Sequence, residues 1–259
     1  MPTADPPVLV NGWWIYTRDM VGGTYGSSHL NPSDYQINNA YRMRTALQQI
    51  GYGEKAIAGV IGCAQVESGI SAGAIQKWSV LPNDGASLSD VTNVIMLQYY
   101  NPTAGGQGYG LGLLQWDRYS STYHTNDLLG WMANNGYEWY DGSGQILGRL
   151  AFEYDHNSQY HYWRLNYGSA LTWDVYKDIE NSQFSNYDAG ECAIVWTSCW
   201  ELSSLDPTGR QYRRDNGLFW YQYFRDHPTP PPTPGTGIQP WMYFNFRRKK
   251  ELRNVKRWY

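Results

Sequence analysis

Glu54-Lys-Ala-Ile-Ala-Gly-Val-Ile-Gly-Cys-Ala-Gln-Val-Glu67-Ser-Gly69 is the stretch on which the fold turns. Ile57, Val60, Ile61 and Ala64 recur at i, i+3, i+4 and i+7, the spacing of one helical face. A helical wheel sets Glu67 at the edge of that face, beside Val60, Cys63 and Ala64. Gly69 stands where a left-handed cap closes a helix. The stretch therefore predicts a buried helix with a carboxylic acid in its last turn. Apolar neighbours disfavour the charged form. So does the negative end of the helix dipole. A carboxyl that keeps its proton near neutral pH is what a general acid needs to protonate a leaving oxygen. By position alone, a solvated helix-end glutamate is the commoner case.

The chain has 259 residues, enough for one large domain or two small ones. Hydrophobic residues at 42% suffice for a core. Aromatic residues reach 16%, with 13 Trp and 23 Tyr; such rings fill cores and also stack on sugars or bases. The formal charge of −3 hides an asymmetry. From Trp241 onward there are seven Lys/Arg and one Glu, against 13 Lys/Arg and 22 Asp/Glu before it. The acidic body argues against nucleic-acid binding. Cys63, Cys192 and Cys199 cannot all pair, so no disulfide framework is expected. That fits folding in a reducing cytosol. Met-Pro-Thr-Ala-Asp-Pro-Pro at the start has neither a basic nor an apolar signal region, so no signal peptide is expected. No apolar run is long enough for membrane insertion.

Residues 1–32 are rich in Gly, Pro and aromatics and read as an arm or loop. Ser33 and Gln36 have capping-box spacing and open a helix to about Ile50. Residues 68–103 read as irregular, and Val91 to Tyr100 fits strand or short helix equally. Helices follow over 127–135 and, with Ile146, Leu147, Leu150, Ala151 and Tyr154 on one face, over 145–155. Asp188 and Glu191 form a second capping-box pair, opening a helix through Trp200. A last helix runs over 209–224. Strand signals are few, so the fold class is α+β, mainly helical.

At His227 the composition changes. Residues 228–240 hold a Pro-rich run that cannot be a helix interior and reads as an extended linker. Residues 241–259 are basic and aromatic, too short to fold alone, and read as a docking segment that orders on a partner.

Two separated segments then gain meaning together. Ala-Gln-Val-Glu67-Ser-Gly, followed by Gly-Tyr-Gly-Leu-Gly-Leu-Leu-Gln115-Trp116-Asp117, resembles the lysozyme superfamily. Gln145-Ile-Leu-Gly-Arg-Leu-Ala-Phe-Glu-Tyr154 and Cys192-Ala-Ile-Val-Trp-Thr-Ser-Cys-Trp-Glu201, with Arg210 and the aromatic helix after it, extend the likeness to the phage tail lysozymes. The resemblance covers residues 36–226. It implies a lysozyme-like catalytic domain over 33–227 that binds and cleaves peptidoglycan glycan strands, of muramidase type, without a cofactor. It further implies a tail-tip protein of the virion, made in the host cytoplasm, that opens the wall for genome entry. Residues 241–259 would then dock on tail or knob proteins. A structural tail or plug protein that keeps a glycan-binding body without catalysis is the alternative.

Within that resemblance Glu67 is the acid. Asp117 is its partner, as base or as nucleophile; a helix N-cap before Arg118 is an equal reading. Some lysozyme-like enzymes use one glutamate and release an anhydro product, and Asp117 then does nothing. Gln115 would donate to an N-acetyl group or a water. Tyr109 and Trp116 would stack on sugar rings, or fill the core. Glu201 reads as structural, paired with Arg210. Other chemistries find less support. The glycines of 105–112 lack the spacing of a dinucleotide loop. Asp155, His156 and His161 lack the His pair of a zinc protease helix, so no metal is expected. Cys63, with His29 as a partner, lies in the buried helical face, where thiols are inert.

Overall fold

A computed structural model of the chain describes residues 8–15, 30–74, 111–115, 125–155, 173–198 and 207–231. It is mainly helical with one small sheet, the class that the sequence predicts. The chain divides into two units, Met1–Pro228 and Thr229–Tyr259. The elements below belong to the first.

β1 (Val8–Val10) and β2 (Trp13–Ile15) pair antiparallel, with Leu9 opposite Trp14. Asn11 and Gly12 join them with φ of 51° and 82°, the left-handed pair of a tight turn whose twist matches the strands. Alternation along β2 sends Trp13 and Ile15 into the core and turns Trp14 outward. Burying one large apolar side chain is worth roughly 1.5–3 kcal/mol. The hairpin is therefore part of the core, where composition suggested an arm or loop.

α1 (Asp34–Gln49) starts with the predicted capping box. The Gln36 amide N–H donates to Ser33 Oγ at 3.4 Å, and the Ser33 N–H donates to Gln36 Oε1 at 2.9 Å. α2 (Glu54–Ser68) is the central element: every residue from Ala56 to Val66 is buried. Its small residues set the packing distance. A Cβ on Gly59 would lie 2.8 Å from Ala193 N, and one on Gly62 would lie 2.6 Å from Gly217 N. Two neighbouring helices thus approach α2 almost backbone to backbone.

Those neighbours are α6 (Ala189–Trp196) and α7 (Pro207–Asp226). α6 carries the second predicted capping box, with Asp188 N–H to Glu191 Oε2 at 2.8 Å and Glu191 N–H to Asp188 Oδ1 at 2.7 Å. It ends at Trp196, with Thr197 and Ser198 in a wider turn, and Cys199 and Trp200 lie outside the described residues. α7 buries Arg213, Asn216, Gly217, Trp220 and Phe224, one face at helical spacing. α3 (Thr125–Asn134) and α4 (Gly142–Asp155) match the expected pair within a few residues. α5 (Trp173–Lys177) and a 3-10 turn at Ile179–Asn181 are further described elements that the sequence reading does not predict. The expected segments over 75–110 lie outside the described residues.

The end of α7 is clasped to α1. The Tyr41 hydroxyl donates to the carbonyl of His227. Burial holds the Tyr41 phenol above its ordinary value, so it remains a donor. Arg44 Nη1 donates to the Pro228 carbonyl at 3.4 Å while pairing with Glu54 at 3.1 Å. The His227 ring stacks on Tyr223 with centroids 4.4 Å apart.

Candidate active site

Glu67 sits in the last turn of α2, as its spacing predicts, between buried Val66 and Ser68. Gly69 closes the helix at φ 63°, and its N–H reaches the carbonyls of Ala64 and Gln65. The Glu67 side chain is 23% exposed, so it reaches the surface from a buried helix. Its surroundings are not simply apolar. Arg213 of α7 donates from Nη2 to Glu67 Oε1. The guanidinium is itself buried and donates from Nη1 to the Gly209 carbonyl at 3.2 Å. The guanidinium gives the carboxyl a charged partner that its neighbours in sequence do not supply. It also fixes where the carboxyl lies.

The segment Leu111–Gln115 is tied to the same helix end. Ser68 Oγ donates to the Leu113 carbonyl at 2.8 Å, and the Gly112 N–H donates to Ala74 O at 2.7 Å. From the other side, Gln145 at the start of α4 accepts from the Leu113 N–H at 2.9 Å. Its amide nitrogen donates to Ala72 O at 2.8 Å and to Trp139 O at 2.7 Å. One buried amide therefore holds three chain segments. Gln115 follows at φ 44°. Its Nε2 donates to Gly112 O at 2.9 Å and Ala74 O at 3.3 Å, so the expected donor group is spent on backbone carbonyls. Its Oε1 is buried with no protein partner among the described residues.

The fold thus brings Glu67 and the Gln115 segment together. Tyr109, Trp116 and Asp117 lie outside the described residues, as do Glu201, His29, His156 and His161; the side chain of Asp155 does too. Arg210, the expected partner of Glu201, is exposed one turn before Arg213. Sequence inspection missed Arg213 and Gln145. The signal for Arg213 was its place on the buried face of α7, in line with Gly217, Trp220 and Phe224.

Among the described residues no three His, Cys, Asp or Glu side chains gather as a metal would need. Cys63 and Cys192 are buried thiols. Cys63 Sγ contacts the Ala193 carbonyl at 3.2 Å and Thr197 Oγ1 at 3.0 Å, well inside the core. Burial pushes the Cys192 thiol far up, and the Glu180 carboxylate adds to it, so neither group reads as a nucleophile. No helix among the described residues is long and apolar enough to cross a membrane.

Compared with known protein families, residues 38–224 match the phage tail lysozymes. A comparison with curated individual proteins gives no match.

Proposed function

Because the chain belongs to the phage tail lysozyme family, we propose that it is a tail-borne glycosidase, of muramidase type, that opens the host wall for genome entry. Membership itself implies a lysozyme-like peptidoglycan hydrolase associated with the viral tail. The assignment of residues is ours. Glu67 is the general acid, delivering its proton to the glycosidic oxygen between two sugars. The observation that carries this role is the placement of a partly exposed carboxyl at a capped, otherwise buried helix end, stitched through Ser68 to the Gln115 segment. Arg213 donates to Glu67 Oε1 and so fixes where the acid lies. Asp117, two residues beyond Gln115, is the second carboxylate, as base or nucleophile. If products carry anhydro ends, Glu67 acts alone. Tyr109 and Trp116 are sugar-stacking candidates. Gln115 shapes the segment beside the helix end, its amide bonded to Gly112 O and Ala74 O.

Residues 241–259 are the fastening segment. Trp241, Tyr243, Phe244, Phe246, Trp258 and Tyr259 are anchor types that dominate interfaces, and the Arg/Lys run steers toward an acidic tail protein.

The second reading is a tail protein that no longer cuts the wall, and one observation favours it. The Glu67–Arg213 pair is also what a buried guanidinium needs as a counter-ion. Glu67→Gln separates the two readings. Purified peptidoglycan is digested at temperatures where circular dichroism shows the variant folded. The catalytic reading expects a loss of roughly a hundredfold or more. A folded variant that clears peptidoglycan at near the parent rate defeats it, and a parent protein with no activity supports the structural alternative. Mass spectrometry of the products distinguishes muramic from glucosamine ends, and hydrolysed from anhydro ends.

A further inference from the structure

The hairpin lies outside the region shared with the family, and only one of its jobs is to fill the core. Trp13 and Ile15 face inward, 1% and 3% exposed, while Trp14 faces out. Its ring meets Tyr35, on the first turn of α1, with centroids 4.8 Å apart and planes at 59°. Tyr35 is 38% exposed, one of three large hydrophobic side chains so exposed among the described residues. The two tilted rings make an angled corner, with Tyr35 exposed and Trp14 half-buried.

The corner is tied to the chain that leaves the Glu67 helix. Asn39, fully buried, accepts from the Trp14 N–H at 2.9 Å. Its Nδ2 donates to the carbonyls of both Trp14 and Ile70, each at 2.8 Å. One nitrogen thus ties the backbone of Trp14 to the chain three residues past Glu67. Gln36, next to Tyr35, donates from Nε2 to the Gly69 carbonyl at 3.2 Å. Each ring is therefore fastened, directly or through its neighbour, to the strand of chain leaving the Glu67 helix.

We propose that Trp14 and Tyr35 form a further sugar-stacking site, which takes a ring of the same glycan strand whose bond lies at Glu67. The inference rests on the glycosidase reading. Two features favour a sugar over a protein partner. Trp and Tyr present an apolar face with a polar rim, which matches the faces of a pyranose and its hydroxyls. The size is also right: each ring offers at most about 150–250 Å², well short of the 1,200–2,000 Å² or so of a stable protein interface. Because both rings precede residue 38, where the family match begins, the site extends the shared body rather than restating it.

The test uses the full chain on purified peptidoglycan, with Trp14→Ala, Tyr35→Ala and the double substitution. Each single change should raise the half-saturating substrate concentration by between about twofold and tenfold, the range for one aromatic contact, with turnover at saturation kept within about twofold. Trp14→Tyr and Tyr35→Phe should restore most of the affinity. Sedimentation of the same substitutions with peptidoglycan in the Glu67→Gln background reads binding without turnover. Tyr35 is exposed, so its variant reports even if Trp14→Ala fails to fold. Unchanged saturation in a folded Tyr35→Ala protein that still cleaves peptidoglycan overturns this site and leaves the glycosidase reading intact. A parent chain that neither binds nor cleaves peptidoglycan removes both.

Discussion

Gly62→Ala should weaken the protein, and Gly130→Ala should strengthen it. Both replace a helical glycine, and on propensity alone each gains about 0.5–1 kcal/mol. The surroundings decide the sign. At Gly130 in α3, an added Cβ meets nothing within 4 Å. At Gly62 it lies 2.6 Å from Gly217 N, 2.9 Å from Gly217 Cα and 3.1 Å from Asn216 C. All three atoms are α7 backbone, which cannot swing aside as a long side chain does. Retreat is blocked as well, because Gly217 is pressed on its own far side, where a Cβ would lie 2.5 Å from the Ala189 carbonyl oxygen. Overpacking in a core costs typically about 1–3 kcal/mol, and rigid neighbours put this site at the upper end. Subtracting the propensity gain leaves a net loss of about 2 kcal/mol. For a domain of this size that lowers the melting temperature by roughly 4–8 °C. Gly130→Ala should raise it by about 1–4 °C. Differential scanning fluorimetry of the pair in one buffer is sufficient. If both variants shift upward together, the glycines of α2 and α7 do not set the distance between these helices.

The remaining predictions concern the site, the core and the tail. A double-mutant cycle on Glu67→Gln and Arg213→Met, read by urea unfolding, should give a coupling of about 1–3 kcal/mol; a value near zero would mean the pair is no better than a solvent-exposed one. Because burial pushes the Cys192 thiol up, thiolate is scarce at neutral pH. Iodoacetamide should leave Cys192 unmodified in native buffer and modify it in urea, as mapped by peptide mass spectrometry; native labelling at the denatured rate contradicts its burial. A chain ending at Pro231 should digest purified peptidoglycan at close to the full rate and be missing from assembled particles. Packaging of that shortened chain, or loss of activity while it stays folded, rules out the docking role.

What could be read from sequence was what local chemistry decides. The Ser33–Gln36 and Asp188–Glu191 boxes span three residues each, and both form. The α2 periodicity and its closing Gly69 are local too, so Glu67 was placed correctly at a helix end. The Asn11-Gly12 turn between two apolar runs was equally local. The surrounding Gly, Pro and aromatic residues obscure it, because they suggest a loop. α5, with five residues, is too short to show a period. The electrostatics of the site were not readable at all. Arg213 meets Glu67 across 146 positions of sequence, and only the crossing of α2 and α7 brings them together. The inward turn of the Gln115 amide likewise depends on Ala74, 41 residues earlier.

The clasp at the end of α7 has a mechanical consequence. The chain leaves this unit at Pro228. The last two carbonyls before it are gripped from α1, His227 by Tyr41 and Pro228 by Arg44, and Arg44 is in turn braced on Glu54 at the start of α2. A pull on the chain beyond Pro228 is therefore not borne by the final turn of α7 alone. The load divides among α1, α2 and α7 before any helix begins to fray. Because α2 also carries Glu67, the same helix that receives the load positions the acid. If residues 241–259 fasten the protein and Glu67 is its acid, as proposed, tethering and chemistry share one frame, and tension strong enough to open the clasp would be felt first at the end of α2 farthest from the carboxyl.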